Sequence, residues 1–345
     1  MSTWLERDIK FIAASGQPSV LVDVCLQRGI DSHRLLNGTG LFLEHVLSDS
    51  VLMNAEQYLK LIQNACVLLN SDDTPFLLGQ RWLPGAQGGA SLALKLANNL
   101  QQALEAFIVG KAVLSPVITP HLVVDEHHGY LYWQDSFGAA ANYPFLLVAS
   151  MVSIVAFSRR QANQQLPWKF YFRHDAPEFL EQYWVHLGLE VHFNQPFDVM
   201  CIPRQWLVQC WQQSTVSAQQ VALAQTQQQL QKLPAQQALL EEVRHFILSN
   251  VEGHPNLDAL AAALNFSPAT LKRKLKKHGS HYQQQLDSAR LQHALYLLTK
   301  QKLSCEQVAN RLCFHDTASF RRSFKRWAGA NPNQLLHKLT AALWA

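Results

Sequence analysis

Two sets of basic side chains in the C-terminal third of the chain have the spacing needed to bind a polyanion. In residues 267–278, helical periodicity places an apolar stripe on one face: Leu271, Leu275 and His278. The opposite face is small and basic, and consists of Ala269, Lys272, Arg273 and Lys276. Ser267 supplies a capping oxygen, and Pro268 suits the first helical position. A single basic face of this kind is more typical of a solvated surface than of a binding site.

The same design recurs nearer the C-terminus at one constant offset. Asp316 caps a helix whose predicted apolar stripe is Phe320, Phe324 and Trp327. Its opposite face is again small and basic, and consists of Ala318, Arg321, Arg322 and Lys325. A short apolar helix and a turn precede each of these helices, with caps at Asn256 and Ser304. The repeat predicts two helix-turn-helix units and argues against a merely solvated surface.

One long helix is predicted between the two units. Residues 282–299 contain neither Gly nor Pro, and their apolar positions recur at helical spacing. Two recognition helices on one face of double-stranded DNA must lie about 34 Å apart to enter successive major grooves. A stiff helix suits that spacing, so double-stranded DNA is the expected partner.

The last hundred residues resemble the signature of the AraC/XylS family of transcription regulators. The matching positions are Arg290-Leu291, Ala294, Val308-Ala309, Phe314, Ser319-Phe320-Arg321-Arg322-Ser323-Phe324-Lys325-Arg326-Trp327, Gly329 and Asn331-Pro332. In that family the second helix of each unit lies in a major groove. The resemblance therefore implies DNA contacts by Ala269, Lys272 and Arg273 in the first unit, and by Ala318, Arg321 and Arg322 in the second. Lys276 and Lys325 lie on the same two faces and complete the set.

The turn of the second unit departs from the family pattern. Cys313 stands where the family usually has glycine. A non-glycine residue held at positive φ costs about 1 kcal/mol, so we expect this turn to be either strained or reshaped.

Charge is distributed unevenly over the 345 residues. Residues 235–345 hold 15 Lys and Arg against 7 Asp and Glu, whereas residues 1–234 hold 14 against 18. The C-terminal part thus carries +8 and the larger part −4. Nucleic-acid binding is expected of the basic part alone, so the N-terminal part needs another role.

The N-terminal part mixes helical and strand patterns. Helices are predicted over residues 3–15, 20–27, 54–69, from 76 onward, 92–113, 144–160 and 177–187, and residues 145–157 form an apolar run. The alternating residues 118–132 predict a β-hairpin, with His127 and His128 as a polar tip rather than a metal site. Residues 168–174 predict a strand. The apolar run falls short of the roughly 20 residues of a membrane span, and no secretory signal is visible, so we expect a cytoplasmic protein.

Residues 20–209 resemble the AraC-type effector-binding domain of the ornithine-regulator subgroup. The resemblance rests on Phe172-Arg173-His174, Ala176-Pro177, Tyr183, Gly188 and residues 193–197. It implies small-molecule sensing, allows a homodimer through the same domain, and makes RNA polymerase an expected partner. We expect a mixed α/β domain at 1–211, then a connector at 212–237, then an all-α DNA-binding domain at 238–345. The connector holds 11 Gln in 26 positions, and its sequence leaves helix and disorder open.

The aromatic residues of the N-terminal part predict a largely apolar effector, such as a fatty acid or an acylated signal. They include Tyr58, Trp82, Phe107, Tyr132, Trp133, Phe145 and Phe172. Arg81, Lys111 and Arg173 are the candidate cations for a charged head group, although the Arg173-His174 pair also suits a structural role. The same aromatics could equally fill a core without any ligand.

An enzyme is not expected. The six cysteines are scattered without metal-binding or disulfide spacing, and none lies beside a histidine as a nucleophile would. The sequence contains no phosphate-binding loop, dinucleotide fingerprint, GxSxG or HExxH motif, so no cofactor or metal is predicted. The sequence therefore favours a ligand-responsive regulator over a DNA-modifying enzyme with an AraC-type reader. A constitutive DNA-binding protein stays open as a third class.

Overall fold

The computed structural model describes residues 4–48, 50–211 and 215–335, which divide into two compact units, Met1–Gln236 and Gln237–Ala345. Twelve helices of the first unit are described: α1 Gln17–Gln27, α2 Ser32–Leu36, α3 Leu43–Val46, α4 Ala55–Leu69, α5 Thr74–Trp82, α6 Gly89–Lys95, α7 Leu100–Val109, α8 Lys111–Leu114, α9 Tyr143–Ala162, α10 Glu181–Leu187, α11 Arg204–Leu207 and α12 Val216–Gln231. A 3₁₀ turn at Ala140–Asn142 precedes α9. The described strands are β1 Lys10–Ala13, β2 Leu52–Asn54, β3 Ile118–Val124, β4 His128–Asp135, β5 Lys169–Tyr171, β6 Val191–His192 and β7 Val199–Pro203.

Five of the strands form one sheet in the order β3-β4-β7-β5-β6. All neighbouring pairs are antiparallel except β5 and β6, which run parallel. The predicted hairpin is β3–β4, and its tip is closed by Asp125, whose carboxylate accepts hydrogen bonds from the backbone N–H groups of His127 and His128 at 2.8 Å. Trp133, Phe170 and Met200 are buried on this sheet. The sheet therefore supplies one wall of the core of the N-terminal unit.

The apolar helix α9 forms the centre of that core. It is longer than the apolar run in the sequence, because Tyr143 to Ala162 continue it in both directions. By length and composition the segment Ala140–Ala162 could cross a membrane, yet 67% of its apolar 18-residue stretch is buried in the structure. Helix α5 packs along it at Gly79, where a Cβ would lie 2.7 Å from Cβ of Val152 and closer still to the carbonyl oxygen of Ala149. The two helix axes approach this closely because position 79 has no side chain.

Several sequence-based elements were wrong in type or extent. The described residues 4–15 do not form the predicted helix: β1 pairs with β2, and stacking of Phe11 on Phe137 at 5.1 Å draws this segment into the core. Tertiary pairing here outweighs local helical spacing. Residues 92–113 contain parts of three short helices, since Asn99 caps α7 and Gly110 ends it. The strand predicted at 168–174 covers only Lys169–Tyr171, and the helix predicted at 177–187 begins at Glu181.

The Gln-rich segment is helical over α12, which resolves the alternative that the sequence left open. The helix belongs to the N-terminal unit rather than standing between the units, because it packs against α6. Ala222 and Thr226 are fully buried, whereas most of its glutamines are exposed. Residues 212–214 lie outside the described residues.

The C-terminal unit is helical throughout its described residues. Its helices are α13 Leu239–Ser249, α14 Leu257–Ala263, α15 Pro268–Lys277, α16 Tyr282–Thr299, α17 Cys305–Arg311 and α18 Thr317–Ala328. Helices α14–α15 and α17–α18 are the two predicted helix-turn-helix units, and α16 is the predicted long helix between them. The predicted fold class, a mixed N-terminal domain followed by an all-α domain with two such units, is confirmed.

The close contact between α5 and α9 gives the first prediction. Gly79→Ala should lower the free energy of unfolding by about 1–3 kcal/mol, because the added methyl group meets backbone of α9 that cannot move aside. Gly253→Ala is the control, since a Cβ there would be 3.5 Å from its nearest neighbour, the carbonyl oxygen of Asn250. Urea unfolding monitored by tryptophan fluorescence measures both. Equal stability of the two variants would contradict this account of the packing.

Candidate nucleic-acid interface

Helix α15 presents its basic face to solvent because its apolar stripe is buried in the core. The side chain of Ser267 accepts a hydrogen bond from the N–H of Thr270, and Pro268 occupies the first turn. Leu271 and Leu275 are fully buried. The predicted binding residues of this helix are all exposed: Ala269, Lys272, Arg273 and Lys276. The two buried leucines thus fix the rotation of α15 about its axis.

Helix α18 repeats this arrangement with larger apolar side chains. Asp316 caps it by accepting a hydrogen bond from the N–H of Ser319 at 2.6 Å, and this bond lowers the pKa of the carboxyl group. Phe320 and Phe324 are fully buried, whereas Trp327, predicted as the third residue of the stripe, is only half-buried. The predicted binding residues are again all exposed: Ala318, Arg321, Arg322 and Lys325.

The orientation of one exposed arginine is fixed within its own helix. Nη2 of Arg322 donates to Oγ of Ser319 at 3.0 Å. This bond draws the guanidinium toward the N-terminal end of α18. In helix-turn-helix proteins the N-terminal residues of the recognition helix contact base edges. The guanidinium of Arg322 is therefore directed toward that end of the helix.

Both turns contain a non-glycine residue in the left-handed region. Asn265 has φ +58° in the first turn and Cys313 has φ +59° in the second. The second turn is therefore strained rather than reshaped, the first of the two outcomes expected from the missing glycine. Sγ of Cys313 lies 3.1 Å from the carbonyl oxygen of Glu252 and donates to it, which offsets part of the strain. The second turn is also one residue longer, and the added residue is the exposed His315.

Glu252 joins three parts of the C-terminal unit. It follows α13 in sequence, and its carboxylate accepts hydrogen bonds from His293 of α16 at 2.9 Å and from Arg311 of α17 at 3.1 Å. These two partners, His293 first, lower the pKa of the Glu252 carboxyl group. Its backbone carbonyl also contacts the turn at Cys313. Sequence reasoning missed this residue, because its partners lie about 40 to 60 positions further along the chain.

Two further contacts hold the second helix-turn-helix unit on the long helix α16. Nη2 of Arg326 lies 3.1 Å from Oδ2 of Asp287, and the guanidinium of Arg290 lies 5.6 Å from the centre of the Phe314 ring. Cation–π contacts of this kind contribute about 0.5–1 kcal/mol at exposed sites. Arg326 is therefore bound within the protein, although it lies among the basic residues of the signature. The six candidate cations for DNA lie on the exposed faces of the two helices: Lys272, Arg273 and Lys276 on α15, and Arg321, Arg322 and Lys325 on α18.

The candidate effector residues differ in how far they are buried. Tyr58 and Trp82 are buried, Lys111 and Tyr132 are half-buried, and Arg81 and Arg173 are exposed. Of the other aromatics proposed from the sequence, Phe107, Trp133 and Phe172 are buried and Phe145 is half-buried.

Local contacts account for several of these side chains. The hydroxyl of Tyr58 donates to Gln17, 3.3 Å away, and burial raises the pKa of this phenol. Arg81 donates to the side chain of Gln27 at 2.8 Å. The backbone N–H of Arg173 donates to Asp198 at 2.9 Å, while burial raises the pKa of the Asp198 carboxyl group. The ring of Tyr132 stacks on His121 at 5.1 Å. Arg81 and Arg173 are thus surface cations.

Sequence reasoning missed another exposed cation at the end of α5. Arg160 of α9 donates to the carbonyl oxygens of Gln80 and Leu83, which flank Trp82 at the end of α5. Desolvation lowers the pKa of its guanidinium. Nε1 of Trp82 is buried and has no hydrogen-bond partner in the described part of the chain. An unsatisfied buried donor costs about 1–3 kcal/mol, which makes this position notable.

An aromatic cluster connects α5, α10 and the end of β5. The ring of Tyr183 lies 4.9 Å from Phe76 and 5.4 Å from Phe172, and Phe193 lies 5.1 Å from Tyr183. His186 stacks on Phe76 at 5.3 Å, and desolvation lowers its pKa. Of these residues only Phe172 was a candidate from the sequence. The cluster brings together residues more than 100 positions apart, which spacing alone cannot reveal.

Comparison with known proteins gives matches over both units. The family described as "Arabinose-binding domain of AraC transcription regulator, N-term" matches residues 29–209, and the family described as "Helix-turn-helix domain" matches residues 260–338. The chain is 27% identical to the Ornithine utilization regulator of Pseudomonas aeruginosa over 91% of this chain and 93% of that protein.

Two solved structures are also similar to the chain. The transcriptional regulator CdpR from Pseudomonas aeruginosa is 18% identical, with 91% of this chain and 96% of that chain covered and a TM-score of 0.40. Unsaturated fatty acid bound wild-type ToxT from Vibrio cholerae is 15% identical, with 43% and 59% covered and a TM-score of 0.29.

The first family match alone spans more than half of the chain. The paired helix-turn-helix units and the similarity to the ornithine regulator over nearly the whole length agree with it. The chain belongs to the AraC family of transcription regulators, with an N-terminal effector-binding domain and a C-terminal helix-turn-helix domain that binds DNA.

Proposed function

We propose that this regulator reads a two-part site on double-stranded DNA with the outer faces of α15 and α18, under the control of a small, largely apolar effector bound in the N-terminal unit. The proposal includes RNA polymerase as a partner, a homodimer, and a location in the cytoplasm. The observation that carries the DNA part is that all eight candidate residues are exposed on two matching faces.

The spacer supports simultaneous use of both faces. Helix α16 has 18 residues, which corresponds to a length of about 27 Å. Recognition helices in successive major grooves lie about 34 Å apart, so the spacer has the right scale. Neither α15 nor α18 contains an Asp or Glu within its bounds, so no carboxylate opposes the phosphates along either face.

The two faces differ in the type of cation. The exposed face of α15 presents Lys272, Lys276 and Arg273, whereas the exposed face of α18 presents Arg321, Arg322 and Lys325. A guanidinium can pair bidentately with O6 and N7 of guanine, but an ammonium acts more as a point charge on phosphate. Arg322, with its head drawn to the N-terminal end of α18, is the best candidate for direct readout of a base.

The effector part of the proposal rests on the surroundings of Trp82. Its indole N–H is buried without an acceptor among the described residues, and a ligand oxygen would satisfy it. Arg160 lies at the same end of α5 and could pair with a carboxylate. An apolar body with an oxygen-bearing head group, as in a fatty acid, would meet both of these requirements. The relative from Pseudomonas aeruginosa is named for ornithine utilization, so a basic amino acid is the competing effector class.

Binding of DNA by the full-length chain should weaken steeply with salt. If each of the six candidate cations contacts one phosphate, the slope of log affinity against log salt should reach about −5. Lys272→Ala should make the slope shallower by about 0.9 and weaken all sequences alike. Fluorescence anisotropy between 50 and 200 mM salt, with DNA selected from a random pool, measures both effects. A slope near zero would rule out phosphate contacts by these faces.

Arg322→Lys separates base readout from charge. The variant keeps the positive charge, so affinity for random DNA should be unchanged, while discrimination at one base pair of the selected site should fall by about 1–3 kcal/mol. Lys325→Arg is the matched control in the same helix and should leave discrimination unchanged. Equal loss on selected and random DNA would assign Arg322 to a phosphate instead.

A panel of compounds tests the effector class. A ligand that binds only the folded state adds about 2.7 kcal/mol at a hundredfold excess over its dissociation constant, or about 5–10 °C in Tm for a domain of this size. We expect fatty acids to raise Tm, and acyl-lactones, L-ornithine and sugars to have no effect. Trp82→Phe should lose the response, whereas Trp133→Phe, which alters another buried tryptophan, should retain it.

Other outcomes of the panel have equally definite meanings. Stabilisation by L-ornithine or by sugars alone would refute an apolar effector and leave the regulator assignment intact. If no compound raises Tm and DNA affinity never changes, the chain is a constitutive DNA-binding protein.

A further inference from the structure

Helix α12, which precedes the DNA-binding unit, lies unusually close to helix α6 of the effector-binding domain. A Cβ at Gly89, the first residue of α6, would lie 2.8 Å from the backbone nitrogen of Thr226 and 2.9 Å from the carbonyl oxygen of Ala222, both in α12. These neighbours are backbone atoms of a regular helix, so they cannot turn away as a side chain would. Only glycine permits this approach.

The contact between α6 and α12 is made by small and polar groups. Among the described side chains of α12, Gln219, Ala222 and Thr226 are buried, while Leu223 and Leu230 are only half-buried. Nε2 of Gln219 donates to the carbonyl oxygen of Ala93 at 3.3 Å. Few large apolar side chains therefore hold α12, and a small displacement of α6 would lose most of the contact.

The start of α6 is coupled to the region around Trp82 by one short loop. Trp82 ends α5, and residues 83–88 lead directly into α6. The N–H of Gln87 donates to Ser91 at 2.8 Å, which fixes the loop to the first turn of α6. The side chain of Gln87 also lies against Gly16, just before α1, where a Cβ would be 3.3 Å from its amide nitrogen. Only residues 83–88 therefore separate Trp82 from Gly89.

At its other end α12 is joined to the DNA-binding unit by a short connection. Helix α12 ends at Gln231 and α13 begins at Leu239, so only residues 232–238 intervene. A displacement of α12 must be taken up within these residues or passed on to α13. Helix α12 is thus the one covalent route from the effector-binding domain to the DNA-binding unit.

We infer that α12 is a docked strap, and that its attachment to α6 at Gly89 couples the state of the effector-binding domain to DNA binding. The inference rests on the effector control proposed above and specifies its route. An effector beside Trp82 shifts the docking equilibrium of α12 through the loop at residues 83–88. The docked and released forms differ in the freedom of the DNA-binding unit.

Thermodynamic linkage allows this route to be tested without knowing the effector. If docking of α12 alters DNA affinity, then DNA must alter the docking of α12 by the same factor. Amide hydrogen exchange reports that docking directly, because a released helix with few buried contacts opens more often.

The experiment measures hydrogen exchange in the full-length protein, with and without saturating DNA selected from a random pool by the same protein. We expect exchange within residues 216–231 to change by at least about fivefold on adding DNA, the lower end of ordinary allosteric coupling. Exchange in this helix that is identical with and without DNA would overturn the inference. This measurement on the native chain requires no variant to fold.

Two substitutions on α12 form a matched pair. Ala222 is fully buried against α6, whereas Ala224 lies on the exposed side of the same helix. Ala222→Leu should release α12, giving fast exchange that DNA no longer changes, and Gly89→Ala should do the same from the other side of the contact. Ala224→Leu should behave like the native protein. A DNA-dependent change that persists in both Ala222→Leu and Gly89→Ala would overturn the role of this contact.

Failure of the α12 strap can be distinguished from failure of the proposed effector control. If none of the compounds raises Tm, the effector proposal fails, yet the exchange measurement still reports whether DNA and α12 are coupled. If compounds raise Tm and DNA leaves α12 unchanged, effector binding stands and the strap is refuted.

Discussion

The interaction on which the DNA-binding unit depends is the burial of one narrow apolar stripe on each recognition helix. Leu271 and Leu275 hold α15, and Phe320 and Phe324 hold α18. Full burial of each such side chain contributes about 1.5–3 kcal/mol, more than an exposed ion pair contributes. The burial sets the rotation of each helix, so the basic residues on the opposite face point outward, and Arg322 is bonded within its own helix to Ser319. Specificity for a polyanion is thus a consequence of apolar packing on the other side.

Close backbone approach has a comparable role in the N-terminal unit. Gly79 lets α5 lie against α9, and Gly89 lets α12 lie against α6. The first contact is supported by the many buried side chains of α9, whereas the second is supported by small and polar groups. The same device therefore gives a permanent contact in the core and a weaker contact at the surface. The weaker one lies next to the connection to the DNA-binding unit, where a change of docking has the greatest effect.

The C-terminal unit was predictable because its information is local. Caps at Ser267, Ser304 and Asp316, and a stripe repeated at a constant offset, depend on residues within a few positions of each other. The hairpin at 118–135 was predictable for the same reason. Strand β1 was not, since it forms by pairing with residues about 40 positions away. Arg160 and Glu252 were missed because their partners are distant in sequence, and no periodicity marks such contacts.

The effector site illustrates the same limit in chemical terms. Sequence reasoning named Arg81 as a candidate cation, but neighbouring residues on a helix point about 100° apart, and Arg81 faces solvent while its neighbour Trp82 faces the core. The cation at that end of α5 is instead Arg160, delivered by another helix. A head-group site in a helical domain needs a buried donor and a cation from different elements, so it follows from packing rather than from adjacency. The buried indole N–H of Trp82 shares its lack of a partner among the described residues with that of Trp133, so the cation at the end of α5 is what distinguishes its surroundings.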